Sequence, residues 1–352
     1  MGRKKWIFKL ASWWLITLSF WLLSVPLLAK ADTGAGFTLQ MVRDRHQLKQ
    51  KRVSYFDLQV KPNEQGTLKV LATNLTNQPL TLKLAVNSGY TTESGSEAYD
   101  TTNLTAQQTT VPYQLKTLFQ VPQQVTLQAH EKRLIKLTYH VPQVAFKGML
   151  EGALYVVNTA KSTGKATNKK GFRIHNQYAL ALGIVLREDV ADVVAPQLKL
   201  TKITTGTDSQ AKFSPAVLVN LANTAPQLIQ KLAINSKVMT RTGKTVYTSR
   251  QNDLGMAPDS DFDYKINTKQ QRLKAGKYRL HLVAKSGTQS WVFNRNFTIT
   301  AAQAQHANRN LQNTTHFWWW LLIGLLLLII LLVLLAYYLG RRRSKRAAKK
   351  HE

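Results

Sequence analysis

The chain has 352 residues, 44% of them hydrophobic, with no cysteine and a formal net charge of +30. The lack of cysteine excludes disulfide-stapled scaffolds, zinc–thiolate sites and cysteine nucleophiles, so any domain must rest on its hydrophobic core. The positive charge favours polyanionic partners. An equally good interpretation is that the lysines only keep the surface soluble.

The N-terminus has the pattern of an export signal. Gly2-Arg3-Lys4-Lys5 precedes an apolar run from Trp6 to Leu28, and Ala29-Lys30-Ala31 supplies small residues at a cleavage site. This order predicts a signal peptide over residues 1–31. The alternative is an uncleaved N-terminal anchor. An exported chain meets anionic wall polymers rather than nucleic acid, so we predict no nucleic-acid partner.

Most of the chain between its ends alternates apolar and polar residues. One such run contains Leu80, Leu82 and Leu84, and a later one contains Leu280 and Leu282. A period of two with Asn, Pro and Gly between the runs is typical of short strands. We therefore predict an all-β fold of two tandem Ig-like β-sandwich domains, at 37–158 and 188–300, with a bridging loop and strand at 159–187 and a linker at 301–316.

A weak internal repeat supports two similar domains. Residues 74–88 and 220–236 each contain two asparagines three apart, then a proline, then Lys-Leu-Ala-Val/Ile-Asn-Ser. Asn and Pro favour a turn before the next strand. Coincidence driven by hairpin chemistry is the alternative. The border between the domains stays open, because both the loop 161–171 and the stretch 188–196 could form it.

A long polar segment from Gly89 to Gln114 carries Tyr90, Tyr99 and Tyr113. Loops of this length are uncommon in compact domains and are often functional. Tyrosines can stack on sugar rings and bond to hydroxyls, so these three are candidate ligand-binding residues. A surface loop with structural tyrosines is the alternative.

The C-terminus predicts a membrane anchor. Residues 317–338 contain no charge, begin with aromatic Phe317–Trp320 and end at Tyr337 and Tyr338, and a basic run follows. We predict a transmembrane helix at 317–338 and a cytoplasmic tail at 339–352. The predicted localisation is a single-pass protein of the cell membrane with its N-terminal part outside, facing the wall.

No catalytic motif is recognisable. The sequence lacks the His-Glu-x-x-His, Gly-x-Ser-x-Gly and phosphate-loop patterns, and Asp259, Asp261 and Asp263 lack the rest of a calcium loop. We therefore expect no enzyme activity, no catalytic residue, no metal and no cofactor. A wall-modifying hydrolase, or an accessory subunit of one, is the alternative, because paired carboxylates can lie far apart in sequence.

Several motifs resemble the WxL-interacting proteins of low-GC Gram-positive bacteria. The resemblance runs over most of residues 37–300, and the motifs are Tyr55-Phe56-Asp57-Leu58, Gly148-x-x-x-Gly152, Met256-Ala257-Pro258-Asp259-Ser260-x-Phe262 and Trp291-x-Phe293. Asp259 stands where that family usually has Asn.

The resemblance implies a function. It implies a first domain that binds peptidoglycan and anionic wall polymers, a second that contacts host extracellular matrix, and partnership with WxL-domain surface proteins. It adds four residues of the most specific motif to the candidate ligand- or partner-binding set, namely Met256, Pro258, Asp259 and Phe262.

Overall fold

The computed structural model describes residues 34–48, 53–105, 108–159, 177–191, 194–311 and 317–348. The predicted signal peptide, 1–31, and the loop 161–171 lie outside the described residues. The chain forms two compact units. The first contains the described residues up to Tyr90 and those of Ala98–Ala195, and the second contains Thr91–Glu97 and the described residues from Pro196 onward.

The first unit consists of two sheets. In chain order, the elements before Pro196 are β1 (Phe37–Val42), β2 (Phe56–Gln59), β3 (Gln65–Asn74), β4 (Leu80–Ser88), a small hairpin of β5 (Tyr90–Thr91) and β6 (Glu97–Ala98), α1 (Leu115–Leu118), β7 (Phe119–Gln120), β8 (Gln124–Leu127), β9 (Lys132–His140), β10 (Leu150–Asn158) and β11 (Ala179–Arg187). Residues Thr91–Glu97 of the hairpin belong to the second unit. One sheet has the order β1-β3-β9-β7 and the other β2-β11-β10-β4-β8.

The alternation of apolar residues puts one face of each sheet into a shared core. Leu68 and Leu137 come from the first sheet, and Leu82 and Leu154 come from the second; each of the four is fully buried. The strand β11 pairs with β10 and with β2. The predicted bridging strand is therefore part of the second sheet of the first unit.

The second unit is also a pair of sheets. Its elements are β12 (Leu198–Asp208), a short 3₁₀ helix (Ser209–Ala211), β13 (Ser214–Asn223), β14 (Ile229–Thr240), β15 (Thr245–Met256), β16 (Asp261–Asn267), β17 (Gly276–Ser286), β18 (Gln289–Ile299) and α2 (Ala301–Ala307). The sheet orders are β12-β13-β16 and β15-β14-β17-β18.

Its core again comes from both sheets. Val219 and Tyr264 from the three-stranded sheet share it with Leu280 and Leu282 from the four-stranded sheet. The helix α2 adds two buried alanines. A capping box fixes its start: the Thr300 side chain accepts from the Gln303 N–H, and the Gln303 side chain accepts from the Thr300 N–H. The β-sandwich architecture predicted from the alternation is confirmed in both units.

The C-terminal prediction is corrected. The helix α3 (Phe317–Ala348) occupies this part of the chain and runs on through the basic residues. Across the described residues, no helix has the length and apolarity that a membrane crossing requires.

This finding contradicts four statements made from the sequence. They are the transmembrane helix at 317–338 within the predicted fold class, the single-pass localisation, its N-terminal part outside, and its cytoplasmic tail at 339–352. The membrane as a partner is not shown.

Candidate functional site

Two of the three predicted loop tyrosines lie beside carboxylates in the first unit. The Tyr90 hydroxyl donates to Asp100 Oδ1 over 2.7 Å. Burial is the main cause that raises the pKa of Tyr90, and its bond to Asp100 adds to the rise. The Tyr99 hydroxyl donates to Glu151, a residue that is only 7% exposed.

The third tyrosine lies apart from these two. Tyr113 packs, partly buried, against the core of the first unit. Two hydrogen bonds hold the loop with the tyrosines against β4. The Asn87 amide donates to the Tyr99 carbonyl over 2.7 Å, and the Leu115 N–H donates to the Ser88 hydroxyl over 2.8 Å. The segment is therefore folded onto the sheet along the described part of its length.

A groove of about 800 Å³ opens beside this loop on the outer face of β4 and β10. Tyr155 and Phe119 line it, with Asp100 as its carboxylate. Its other polar side chains are two lysines, three glutamines and a threonine: Lys83, Lys116, Gln120, Gln123, Gln124 and Thr102. Aromatic rings among amide, ammonium and carboxylate groups suit a polar ligand with ring faces.

Sequence reasoning missed Tyr155, the aromatic residue at the centre of this groove. The strand β10 buries Leu154 and Val156, so Tyr155 projects from the opposite face. Burial, and then the Asp100 carboxylate, raise the pKa of Tyr155. The sequence could have indicated Tyr155, because an aromatic residue at an outward-facing position of a strand is a candidate for ligand contact.

The predicted residues of the second unit lie in and around its core. Met256 and Phe262 are 0% and 4% exposed, and Pro258 is also buried. Asp259 has a left-handed backbone with φ of +48° and is partly exposed. Its N–H donates to the Ala225 carbonyl over 3.2 Å. Burial raises the pKa of Asp259.

This motif contacts the segment 91–97 of its own chain. The Ala257 N–H donates to Thr91 Oγ1 over 3.1 Å, and the Thr91 and Ser260 hydroxyls are hydrogen-bonded. The Gly255 N–H donates to the Gly95 carbonyl over 2.8 Å. At Gly95, φ is +72° and an added Cβ would come within 3.0 Å of the Leu254 side chain, so both the turn and the close packing favour glycine.

An ion pair also joins the segment 91–97 to β16. Lys265 Nζ lies 2.7 Å from Glu93 Oε2. The lysine is 9% exposed and the glutamate 77% exposed. The motif of residues 256–262 thus has a structural role in the second unit, while a ligand role for Met256, Pro258, Asp259 and Phe262 stays a prediction.

No cluster of three or more His, Asp or Glu residues able to hold a metal ion occurs in the described part of the chain. The groove beside Tyr155 is lined by one carboxylate, Asp100. A glycosidase uses two carboxyl groups that flank the bond it cleaves. The described lining of this groove holds one carboxylate instead of such a pair.

Two β-sandwich units define the class of this protein. Residues 37–158 match the model for the WxL Interacting Protein peptidoglycan binding domain, and residues 169–309 match the model for its host binding domain. The two models together cover most of the chain, so the chain belongs to the WxL Interacting Protein family. The resemblance drawn from the sequence motifs is confirmed.

Solved structures with similarity to the chain are immunoglobulin-like. The PapD-like domain 7 of human CEP192 is 13% identical, with 48% of this chain and 98% of that chain covered and a TM-score of 0.26. The CupB2 chaperone of Pseudomonas aeruginosa is 12% identical, with 67% and 95% covered and a TM-score of 0.27. No curated protein matches the chain.

Proposed function

We propose that this chain is a binding and scaffold protein whose first unit holds peptidoglycan in the groove beside Tyr155. The single observation that carries the proposal is that groove, which lies in the unit matching the peptidoglycan binding domain. Its tyrosine ring offers a stacking surface for a sugar, and its amides can bond to acetamido and hydroxyl groups. Lys83 and Lys116 can pair with carboxylates of the wall peptide.

The second unit, in this proposal, contacts a host surface, and WxL-domain proteins are the protein partners. The support is the match of residues 169–309 to the host binding domain and the family name itself. Exposed edge strands such as β18 offer one route to a protein partner by strand addition. Co-purification of the full chain with a WxL-domain protein tests the partnership, and failure to co-elute would contradict it.

The groove is tested by retention of the full chain on insoluble peptidoglycan. Replacing Tyr155→Ala removes the stacking surface, and we expect affinity to fall roughly tenfold, as the loss of an aromatic contact predicts. The double variant Lys83→Gln/Lys116→Gln should also weaken retention, and this loss should shrink as salt is added.

A matched control lies on the other sheet of the first unit. Lys69 and Lys136 are exposed and face each other across β3 and β9. Lys69→Gln/Lys136→Gln makes the same change in charge away from the groove, so retention should stay at the wild-type level. Equal losses of retention in both double variants would place the binding outside the groove. If the wild type is not retained at low salt, the wall-binding proposal is wrong.

A further inference from the structure

One face of the second unit is strongly cationic: the outer face of the sheet β15-β14-β17-β18. Along β17, Tyr278, Leu280 and Leu282 are buried in the core. The residues between them, Lys277, Arg279 and His281, therefore project from the opposite face at a spacing of about 7 Å. Lys285 continues the same row beyond Val283.

The neighbouring strands extend this cationic face. Lys237 of β14 lies directly opposite His281, and Arg250 of β15 lies directly opposite Asn235. Adjacent strands are about 4.8 Å apart, so these cations form a grid rather than a single line. Outward positions on β18 are Val292, Asn294, Asn296 and Thr298, because Trp291, Phe293 and Phe297 pack against the core from the alternate positions.

Hydrogen bonds within the cationic face engage two of its acceptor oxygens. Arg279 Nε donates to Asn296 Oδ1 over 3.2 Å, and His281 Nδ1 lies 2.8 Å from Asn294 Oδ1. Each asparagine oxygen is thus directed at a cationic or imidazole nitrogen of the neighbouring strand, which leaves the amide N–H groups and the remaining guanidinium donors for a ligand. The face offers donors and positive charge, a combination that suits an anion.

A cleft at one end of the cationic face has the same chemistry. It has a volume of about 450 Å³ and is lined by Arg241, Lys277 and Arg279, together with Asn296 and Thr298. Its two remaining lining residues, Tyr278 and Phe297, are aromatic, so no carboxylate lines it. A cleft with three cations and two hydrogen-bonding side chains can hold one anionic group of a longer ligand.

The cations of this face are also available. Lys237, Lys277, Arg279 and Lys285 are exposed, and none of them forms a salt bridge with a carboxylate of the described residues. Charges of one sign held together without counter-charges repel each other, so a polyanion that neutralises them gains free energy in a salt-dependent manner.

We propose that the cationic face binds a linear sulfated polysaccharide. The guanidinium groups present paired N–H donors that match the oxygens of a sulfate, and the asparagine and threonine side chains between the cations can bond to sugar hydroxyls. A flat sheet suits a chain of rigid rings that meets several cations at once. The inference rests on the proposed host-binding role of the second unit, for which it names the ligand class.

The test uses the full chain with immobilised heparin as the probe. We expect binding that weakens as salt rises, and the triple variant Lys237→Gln/Lys277→Gln/Arg279→Gln should bind about tenfold to a hundredfold more weakly than the wild type. The control is Lys199→Gln/Lys202→Gln/Arg309→Gln, which removes the same charge from exposed positions on β12 of the other sheet and after α2. The control should keep wild-type affinity, and unchanged melting temperatures exclude misfolding of either variant.

Three outcomes would overturn the inference: no binding of the wild type to heparin at physiological salt, equal weakening in both triple variants, or binding of double-stranded DNA with the same affinity and the same dependence on the variants. Retention on cell-derived matrix before and after heparinase treatment separates this inference from the host-binding proposal. Retention that heparinase does not change contradicts only the sulfated ligand. No retention on either matrix contradicts host binding itself.

Discussion

Asp259 has a favourable backbone conformation but a carboxyl group that lowers the stability of the second unit at neutral pH. Its φ of +48° lies in the left-handed region, where Asn and Asp are the favoured residues other than glycine. Burial raises the pKa of its carboxyl, so the folded state prefers the protonated form. The stabilising contribution of this preference is full below the pKa of the unfolded chain, near 3.9, and is lost as pH rises through the folded pKa.

The change Asp259→Asn should therefore stabilise the second unit at neutral pH. Asparagine retains the left-handed backbone and a hydrogen-bond acceptor and removes the charge that burial disfavours. We expect the melting temperature to rise by a few degrees at pH 7 and the difference to vanish near pH 3. Differential scanning calorimetry of the full chain across this range measures it.

Asp253 provides the matched control. It is exposed and has a φ of +58°, so Asp253→Asn makes the same chemical change on a similar backbone without burial. Its melting temperature should follow the wild type at both pH values. A gain for Asp253→Asn as large as that for Asp259→Asn would assign the effect to the backbone instead of the buried charge.

At the scale of elements, a buried asparagine joins a turn to a neighbouring strand in both units. Asn74 Nδ2 donates to the carbonyls of Gln78 and Gln128, each over 2.8 Å. Asn223 Nδ2 donates to the carbonyls of Gln227 over 2.7 Å and Ala257 over 2.9 Å. The internal repeat of the sequence is thus a repeated hydrogen-bonding unit.

The structural correspondence differs from the one that the asparagine spacing suggests. Asn74 matches Asn223, whereas the spacing pairs it with Asn220. Asn220 bonds instead to Asp263 across β16 over 3.0 Å. The turn requires an amide that donates both to a carbonyl four residues on and to a carbonyl beyond a neighbouring strand, and in the second copy Asn223 meets that requirement.

Removing this amide should destabilise the unit that contains it. Asn74→Ala removes the amide that donates to the buried Leu127 carbonyl and to the partly buried Gln128 carbonyl, and we expect the free energy of unfolding to fall by about 3 kcal/mol. Asn223→Ala should act alike in the second unit. Urea denaturation of the full chain measures both.

Asn77 gives a control within the same turn. Its Oδ1 contacts His130 Nε2 at an exposed position over 2.7 Å. Asn77→Ala should cost less than about 0.5 kcal/mol. A similar loss at both positions would mean that the turn as a whole, and not the buried amide, carries the stability.

At the scale of the whole molecule, the order of contacts departs from the order of the chain. The segment Thr91–Glu97 belongs to the second unit, although residues on both sides of it belong to the first. Its contacts with residues 254–265 are hydrogen bonds, an ion pair and the packing of Gly95. The second unit therefore includes a segment that precedes the rest of the unit by about a hundred positions.

Thr91→Val should loosen the second unit. It removes the hydroxyl that accepts from the Ala257 N–H and pairs with Ser260, so we expect faster amide hydrogen exchange in peptides covering 254–264 and unchanged exchange in β9 of the first unit. Thr67→Val, at an exposed position of β3, should leave both regions unchanged. Equal acceleration in both regions after Thr91→Val would contradict the assignment of this segment.

The sequence by itself determined the strands and the family. Alternation such as Leu80, Leu82 and Leu84 is a local signal, because a strand has one buried face and a period of two, and the Met256–Phe262 motif identified the family without knowledge of its contacts. Another local signal led to a wrong prediction at the C-terminus, where a run of apolar residues predicted a membrane crossing that the structure does not support.

The tertiary structure alone decided which distant residues act together. It placed Tyr155 beside Asp100, brought Thr91 to Ala257, and gathered the cations of β14, β15 and β17 on one face. These pairings depend on strand order and register, which follow from packing across loops of many residues and leave no period in the sequence. The binding surfaces proposed for both units are of this kind.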